Sequence, residues 1–334
     1  MYLEFFFLLL VTYFSYQIFI KVAKKFNLLD FPNVRSSHNI PTIRGFGIVI
    51  FISIGITLLV FHPAFLIENP NILSAILLIF LLGLVDDIIE VPPFAKILTL
   101  VVVYMFLYSE GFLITDLGIF LGIDLNLSTI IAIIFSIVAI VIFTNAFNLI
   151  DGLDGLSGLI SLIIFISFLV IGANNNDHLL IIISSLFVTS LSVFIFYNWH
   201  PAKVFLGDSG SLMIGFVISI LAIQSLNYIE PISILYITSV PIIDILFVTI
   251  HRISDKKSIF HADKLHCHHV LLSYFDNNIK RTVIIIALFQ LLSSVIGVIF
   301  ISKVNDGFIA LMVFCLIFFI AYKILNKIRI RALN

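Results

Sequence analysis

The sequence predicts an all-α integral membrane protein, a polytopic bundle of about 11 (10–11) transmembrane helices forming one domain over residues 1–334. Three observations predict it. Of the 334 residues 61% are hydrophobic and 11% charged, where a soluble domain needs ~25% charged residues to stay wet. Apolar runs recur at 2–20, 45–61, 71–85, 97–109, 127–144, 156–173, 179–197, 212–229, 232–250, 282–302 and 307–325, most of them near the ~17–25 residues a helix needs to cross a ~30 Å hydrocarbon core. All but Lys303 of the 18 basic residues fall on one set of alternating connections, which the positive-inside rule assigns to the cytoplasm, with the N-terminus outside. This composition excludes a disordered chain, a nucleic-acid-binding domain and a disulfide-stapled secreted domain.

Taken in order, the first run has Glu4 before it and Lys21, Lys24 and Lys25 after it. A cleavable leader has the reverse polarity, so this run is expected to stay as a helix. Cys267 and Cys315 lie in unlike surroundings and form no CxxC pair. No lumen-facing alternation is present, which leaves helices rather than a barrel as the spanning elements.

The unusual polar residues gather in five cytoplasmic segments, 35–47, 86–96, 145–154, 198–211 and 251–281. A transporter places ionisable groups near the bilayer midplane; here they sit at helix ends, which favours chemistry at the membrane surface. Gly83-Leu84-Val85-Asp86-Asp87-Ile88-Ile89-Glu90 ends one apolar run with adjacent acids. A solvated helix end would explain one acid, but two that repel each other call for a cation or a perturbed pKa. Lys96 beyond Pro92-Pro93 is a point charge for phosphate or a snorkelling stem.

The densest signal is Asn145-Ala146-Phe147-Asn148-Leu149-Ile150-Asp151-Gly152-Leu153-Asp154-Gly155-Leu156. Amides and acids recur every three residues, and Gly152 and Gly155 interrupt a regular helix. Capping of the next helix by Asp154 or Ser157 explains one of these groups and not four. Phe205-Leu206-Gly207-Asp208-Ser209-Gly210-Ser211 sets an acid among glycines before another span, a pattern suited to Mg²⁺ on a diphosphate, although Ser209 or Ser211 can supply an N-cap. Asn198, Trp199, His200 and Lys203 just upstream provide a nonspecific nucleotide platform. The loop after 250 holds five of the nine histidines, His251, His261, His266, His268 and His269, together with Arg252, Lys256, Lys257 and Lys264. Adjacent His266-Cys267-His268-His269 cannot converge on one zinc ion, so anion binding is the better reading, with contact to anionic lipid as the plainer one.

Together these segments resemble the polyprenyl-phosphate N-acetylhexosamine-1-phosphate transferase family, which includes the bacterial enzymes that initiate O-antigen and teichoic-acid linkage units and the peptidoglycan translocase. The resemblance runs from about Arg35 to Leu272. It rests on Arg35-Ser36-Ser37-His38 to Arg44-Gly45-Phe46-Gly47, the Asp86-Asp87 segment with Lys96, Asn145 to Leu156, Asn198 to Ser211, and His251 to His269. The chain departs from the family in carrying Phe46 where a central glycine is common and Leu100 where a glutamine is frequent.

The resemblance implies an active site built from cytoplasmic loops in a bacterial cytoplasmic membrane. It implies transfer of a sugar 1-phosphate from a UDP-N-acetylhexosamine, with UDP-N-acetylglucosamine favoured, to undecaprenyl phosphate, with release of UMP. It implies Mg²⁺, with Mn²⁺ as a substitute, held by Asp208 and Asp151. It implies catalytic roles for Asp86, Asp87, Asp151, Asp154, His266, His268 and His269, and substrate contacts from Arg44, Lys96, Asn145, Asn148, Asn198, Lys203 and Arg252. Expected partners are the nucleotide sugar, the polyprenyl phosphate and membrane lipid, with a homodimer left open and no nucleic acid. Another donor sugar and a lipid-linked-sugar flippase are the competing readings. A CDP-alcohol phosphotransferase is disfavoured because its spaced Asp-Gly…Asp run is missing.

Overall fold

The computed structural model describes residues 2–25, 28–30, 41–256, 265–303 and 306–333. The expected contributions of Arg35, Ser36, Ser37, His38, Lys257, His261 and Lys264 lie outside the described residues. Helix α1 spans Tyr2–Lys25, and the two-residue strand β1 (Leu29–Asp30) and strand β2 (Thr42–Arg44) follow it. Then come α2 (Phe46–Phe61), short α3 (Pro63–Glu68), α4 (Pro70–Ile88) and α5 (Pro93–Ser109). A hairpin of β3 (Asp116–Phe120) and β4 (Ile123–Asn126) precedes α6 (Thr129–Ile150), α7 (Leu156–Asn175) and α8 (His178–Asn198). Strand β5 (Val204–Phe205) leads into α9 (Asp208–Ser225), α10 (Ile232–Ile237) and α11 (Ser239–Ser254). The chain closes with α12 (Cys267–Tyr274), α13 (Ile279–Ile299) and α14 (Phe308–Leu333).

Eight of these helices are long and apolar enough to cross a membrane, and α2 and α5 are shorter apolar helices. The strands lie outside them, so the all-α, multi-pass class holds. Within the expected bundle of about 11, the run 232–250, expected as one continuous helix, is the pair α10 and α11, broken at Thr238. A break in an apolar medium strands backbone groups that water cannot reach. Here α13 supplies the partners. Gln290 Nε2 donates to the Ile237 carbonyl at 2.7 Å, and its Oε1 accepts from the Val240 amide at 3.0 Å. Ser293 donates to the Tyr236 carbonyl at 2.9 Å.

Helix α9 is the axis of the bundle. Leu212, Ile214, Phe216 and Ile218 are wholly buried, as expected of a helix that is apolar on every side and enclosed by others. Helix α14 keeps Ile309, Leu316, Phe319 and Ile324 exposed, the composition of a surface facing lipid rather than water.

Candidate active site

The C-terminal ends of α4, α6 and α8 and the N-terminal ends of α5, α7 and α9 meet at one face of the bundle. A three-stranded sheet ties them together. Strand β2 pairs antiparallel with β1 and parallel with β5, placing Arg44 opposite Phe205. The amides of Gly45 and Gly47 donate to the carbonyls of Phe205 and Leu206 at 3.1 and 3.0 Å. Residues some 160 positions apart in sequence are thereby fixed against the start of α9. Two glycines let the helices approach this closely: a Cβ on Gly83 of α4 would overlap the Asp208 carbonyl, and one on Gly47 would overlap the Gly210 amide.

The carboxylates at this face fall into two sets. Asp87 is buried, and its two oxygens accept the amides of Asp208 at 2.9 Å and Ser209 at 3.0 Å. It therefore caps the first turn of α9 from another helix, a task expected of Ser209 or Ser211, and satisfies two of the donors every helix start leaves open. Arg44 donates to the Asp87 carbonyl at the end of α4. Asp86 accepts the Val91 amide at 2.8 Å and is ion-paired with Lys96. Asp154 accepts from His200 Nδ1 at 2.6 Å and from the Ala202 amide at 3.0 Å, so it ties the α6–α7 turn to the loop before β5.

Asp151 and Asp208 form the second set. Both are half-buried. Asp208 takes one hydrogen bond from Asn148 Nδ2 at 2.5 Å, and Asp151 takes one from Ser157 at 2.5 Å. Each keeps an oxygen with no hydrogen-bond partner among the described residues. Burial pushes the Asp151 carboxyl up to about 7; the Ser157 bond opposes this, and the charges of Asp208, Asp87 and Asp154 add to it.

The substrate-contact candidates also divide. Asn148 reaches Asp208 and Ser211. Asn145 spends its amide nitrogen on the Val141 carbonyl of its own helix. Asn198, expected to touch substrate, is a buried brace: its Oδ1 accepts the Gly155 amide at 2.7 Å and its Nδ2 donates to the Val204 carbonyl at 2.8 Å. Lys203 is exposed, whereas Arg252 is buried at the end of α11.

The histidine segment closes the site. A Cβ on Gly152 would overlap His268 Nε2, so the His268 ring lies against the Asp151–Gly152 turn. His268 is buried, and burial pushes its imidazole down to about 3, with His269 and His266 acting in the same sense and Asp244 against them. The His266 ring stacks on it at 5.6 Å. Asp244, which the sequence reading missed, is buried in α11 and accepts from His266 Nδ1 and from the Cys267 amide, both at 2.6 Å. Its signal was available: a lone acid in an apolar run is a functional candidate by default.

Among the described residues no group of three or more His, Cys, Asp or Glu converges into a ready metal cage. Mg²⁺ does not require one, since it binds through one or two carboxylates plus substrate phosphates. The open oxygens of Asp151 and Asp208 fit that pattern.

The sequence profile of glycosyl transferase family 4 matches residues 70–226, which carry both sets of acids. A probable undecaprenyl-phosphate N-acetylglucosaminyl 1-phosphate transferase of Bacillus subtilis is 30% identical over 284 residues, covering 84% of this chain and 79% of its own. The chain belongs to glycosyl transferase family 4. An undecaprenyl-phosphate alpha-N-acetylglucosaminyl 1-phosphate transferase of Thermotoga maritima is 30% identical over 322 residues, 95% of this chain and 96% of that one. A phospho-N-acetylmuramoyl-pentapeptide-transferase of a Geobacillus species is 32% identical over 250 residues, 69% of this chain and 75% of its own.

Proposed function

We propose that this multi-pass membrane protein transfers N-acetylglucosamine 1-phosphate from UDP-N-acetylglucosamine to undecaprenyl phosphate, releasing UMP at the cytoplasmic face of the membrane. One observation carries the reading: two half-buried carboxylates keep open oxygens, and one of them, Asp151, follows by five residues the last α6 residue that lines an apolar groove. The groove has a volume of about 610 Å³ and runs between α6 and α11 from Phe120 past Phe135 and Phe143 to Ala146 and Leu246. Ala146 is five residues before Asp151, or ~7.5 Å along a helix. A long prenyl chain lying there brings its phosphate to the acids. The two relatives with the N-acetylglucosaminyl name match 84% and 95% of this chain, against 69% for the N-acetylmuramoyl-pentapeptide-transferase described above, which supports that donor over an N-acetylmuramoyl peptide.

Asp208 and Asp151 would hold Mg²⁺, which when bound offsets the charge of the donor diphosphate. The protein's own part is mainly positioning and electrostatics, as in phosphoryl transfer generally. Asn148 orients Asp208, Asp87 fixes the loop that presents it, and Lys96 keeps a positive charge beside Asp86.

Purified protein in detergent, given radiolabelled UDP-N-acetylglucosamine, Mg²⁺ and undecaprenyl phosphate, should yield UMP and a label that extracts into organic solvent. A flippase would release no UMP, and that result would overturn the reading. Orientation is tested separately. Lys203→Cys, in a background lacking Cys267 and Cys315, should resist an impermeant thiol reagent in intact cells, and labelling there would reverse the assigned sidedness.

A further inference from the structure

Three features outside the acid cluster hold buried polar groups that the reaction as described leaves unused: the α10–α11 break, the Arg329–His251 contact, and the Asp244–His266 pair. The first is closed by Gln290 and the serines of α13. In the second, Arg329 donates to His251 Nδ1 at 2.7 Å, and the ring stacks on Tyr322 at 5.2 Å, which docks α14 on α11. The third leaves one ring nitrogen with no hydrogen-bond partner among the described residues.

Asp244 is an acceptor-only group, and it is saturated on one side by the Cys267 amide. The nitrogen of His266 facing it must therefore carry the proton, so Nδ1–H donates to Asp244 Oδ2 at 2.6 Å. His266 Nε2 then becomes the working atom. It bonds no protein group among the described residues, and unlike Nε2 of His251 and His268 it is not enclosed. The ring stacks on His268, whose own Nε2 abuts Gly152 next to Asp151. His266 is thus separated from the carboxylate turn by the His268 ring, which burial keeps neutral.

Resting on the function proposed above, we infer that Asp244 is a positioning residue that fixes His266 to present Nε2 to a phosphoryl oxygen of the bound nucleotide diphosphate. A carboxylate behind an imidazole sets its tautomer and orientation and stabilises the positive charge the ring takes up against an anion. Asp244 comes from α11 and His266 from the segment leading into α12, so the pair also fixes where the histidine segment sits relative to the membrane. Asp244→Asn reverses this logic. Its amide cannot accept from both the Cys267 N–H and His266 Nδ1–H, so an N–H faces Nδ1 and the ring flips to the other tautomer.

Two substitutions at His266 separate the proposed role from a structural one. His266→Asn keeps a donor where Nδ1–H stood and removes the Nε2 position; His266→Gln does the opposite. UDP binding in the presence of Mg²⁺ is measured on the purified full chain by calorimetry, with the thermal midpoint as a check on folding. The inference expects His266→Asn to bind UDP about tenfold or more weakly, as expected for a lost charge-assisted hydrogen bond. His266→Gln should stay within about threefold of wild type, since the donor position is kept. Asp244→Asn, whose flipped ring still presents an Nε2–H but is no longer steadied in its charged form, should weaken binding less than His266→Asn does, and adding it to His266→Asn should cost nothing further. Asp244→Asn is the variant at risk of misfolding, and the His266 pair decides without it. Wild-type affinity in His266→Asn, or His266→Gln as the weaker of the two, would overturn the inference while leaving the family reaction intact. A wild-type chain that binds no UDP would instead overturn the function on which the inference rests.

Discussion

The end of α4 and the turn between α6 and α7 carry the same chemistry, a pair of aspartates at the end of an apolar helix, and hold it differently. At α4 both acids are buried and engaged: Asp86 with Lys96 and the Val91 amide, Asp87 with the first two amides of α9. At the α6–α7 turn only Asp154 is engaged in this way, while Asp151, with Asp208 across from it, keeps an oxygen open. The difference lies in what packs against each pair. Helix α4 is pressed on α9 through Gly83, so its acids meet backbone donors at once. The α6–α7 turn faces a histidine segment and solvent instead. Acids that look equivalent in sequence are thus fully engaged on one helix and left with an open oxygen at the other turn.

The sharpest way to break this contrast is Asp208→Asn. The change removes a charge from the open set and keeps the shape. Turnover should fall by about 100-fold or more if that charge carries several kcal/mol of the barrier through a bound cation. The thermal midpoint should stay near wild type, because Asn148 can still donate to the remaining carbonyl oxygen. Near-normal turnover at limiting Mg²⁺ would move the metal away from Asp208.

Asp87→Asn tests the other side. An asparagine offers one acceptor where two α9 amides need one each, and its own N–H would face the second. Stability should fall by ~1–3 kcal/mol for the unsatisfied buried donor, and turnover should fall with it as Asp208 loses its seat. A collapse of turnover at an unchanged thermal midpoint would show instead that Asp87 acts on substrate and is not a scaffold.

A smaller effect is expected where the open turn meets its lid. Gly152→Ala pushes a methyl into His268 Nε2, a buried ring with little freedom to retreat. Turnover should drop about tenfold as α12 is displaced, the scale of a 1–2 kcal/mol overpacking cost. Gly55→Ala, whose methyl enters open space, is the matched control and should leave turnover alone.

Much of this site was legible in the sequence because its signals are local. The asparagine and aspartate spacing of 145–154, the Gly-Asp-Ser-Gly loop and the one-sided basic residues all pointed to a single face before any contact was known. Division of labour among the acids was not legible. Whether Asp87 binds substrate or caps α9 depends on the contact of Gly83 with residue 208, which lies about 120 positions away. Asn198 read as a substrate amide because its bonds to Gly155 and Val204 exist only once two turns meet. The α10–α11 break was hidden for the same reason: a continuous apolar run reads as one span, and only α13 reveals the polar groups that make a break tolerable.

The smallest effect expected is a slope of stability against pH, and it separates the lid from the acids beneath it. His268 is pushed down to about 3 from its ordinary 6.5, with burial as the main cause. Its neutral form is the one that fits the fold. Between those two values the unfolded chain binds a proton that the folded chain refuses, so stability rises with pH across this window. The contribution is fully present above about 6.5 and is lost progressively as pH falls toward 3. The acids that share the face act in the same measurement, so the slope must be isolated by substitution. His268→Phe keeps an aromatic ring against Gly152 and cannot take a proton. The wild-type thermal midpoint should fall more steeply than that of His268→Phe between pH 7 and about 4.5, where most of the imidazole's share is lost. Parallel curves would mean that His268 takes up its proton without leaving the lid, and that the segment above Asp151 is looser than its burial implies.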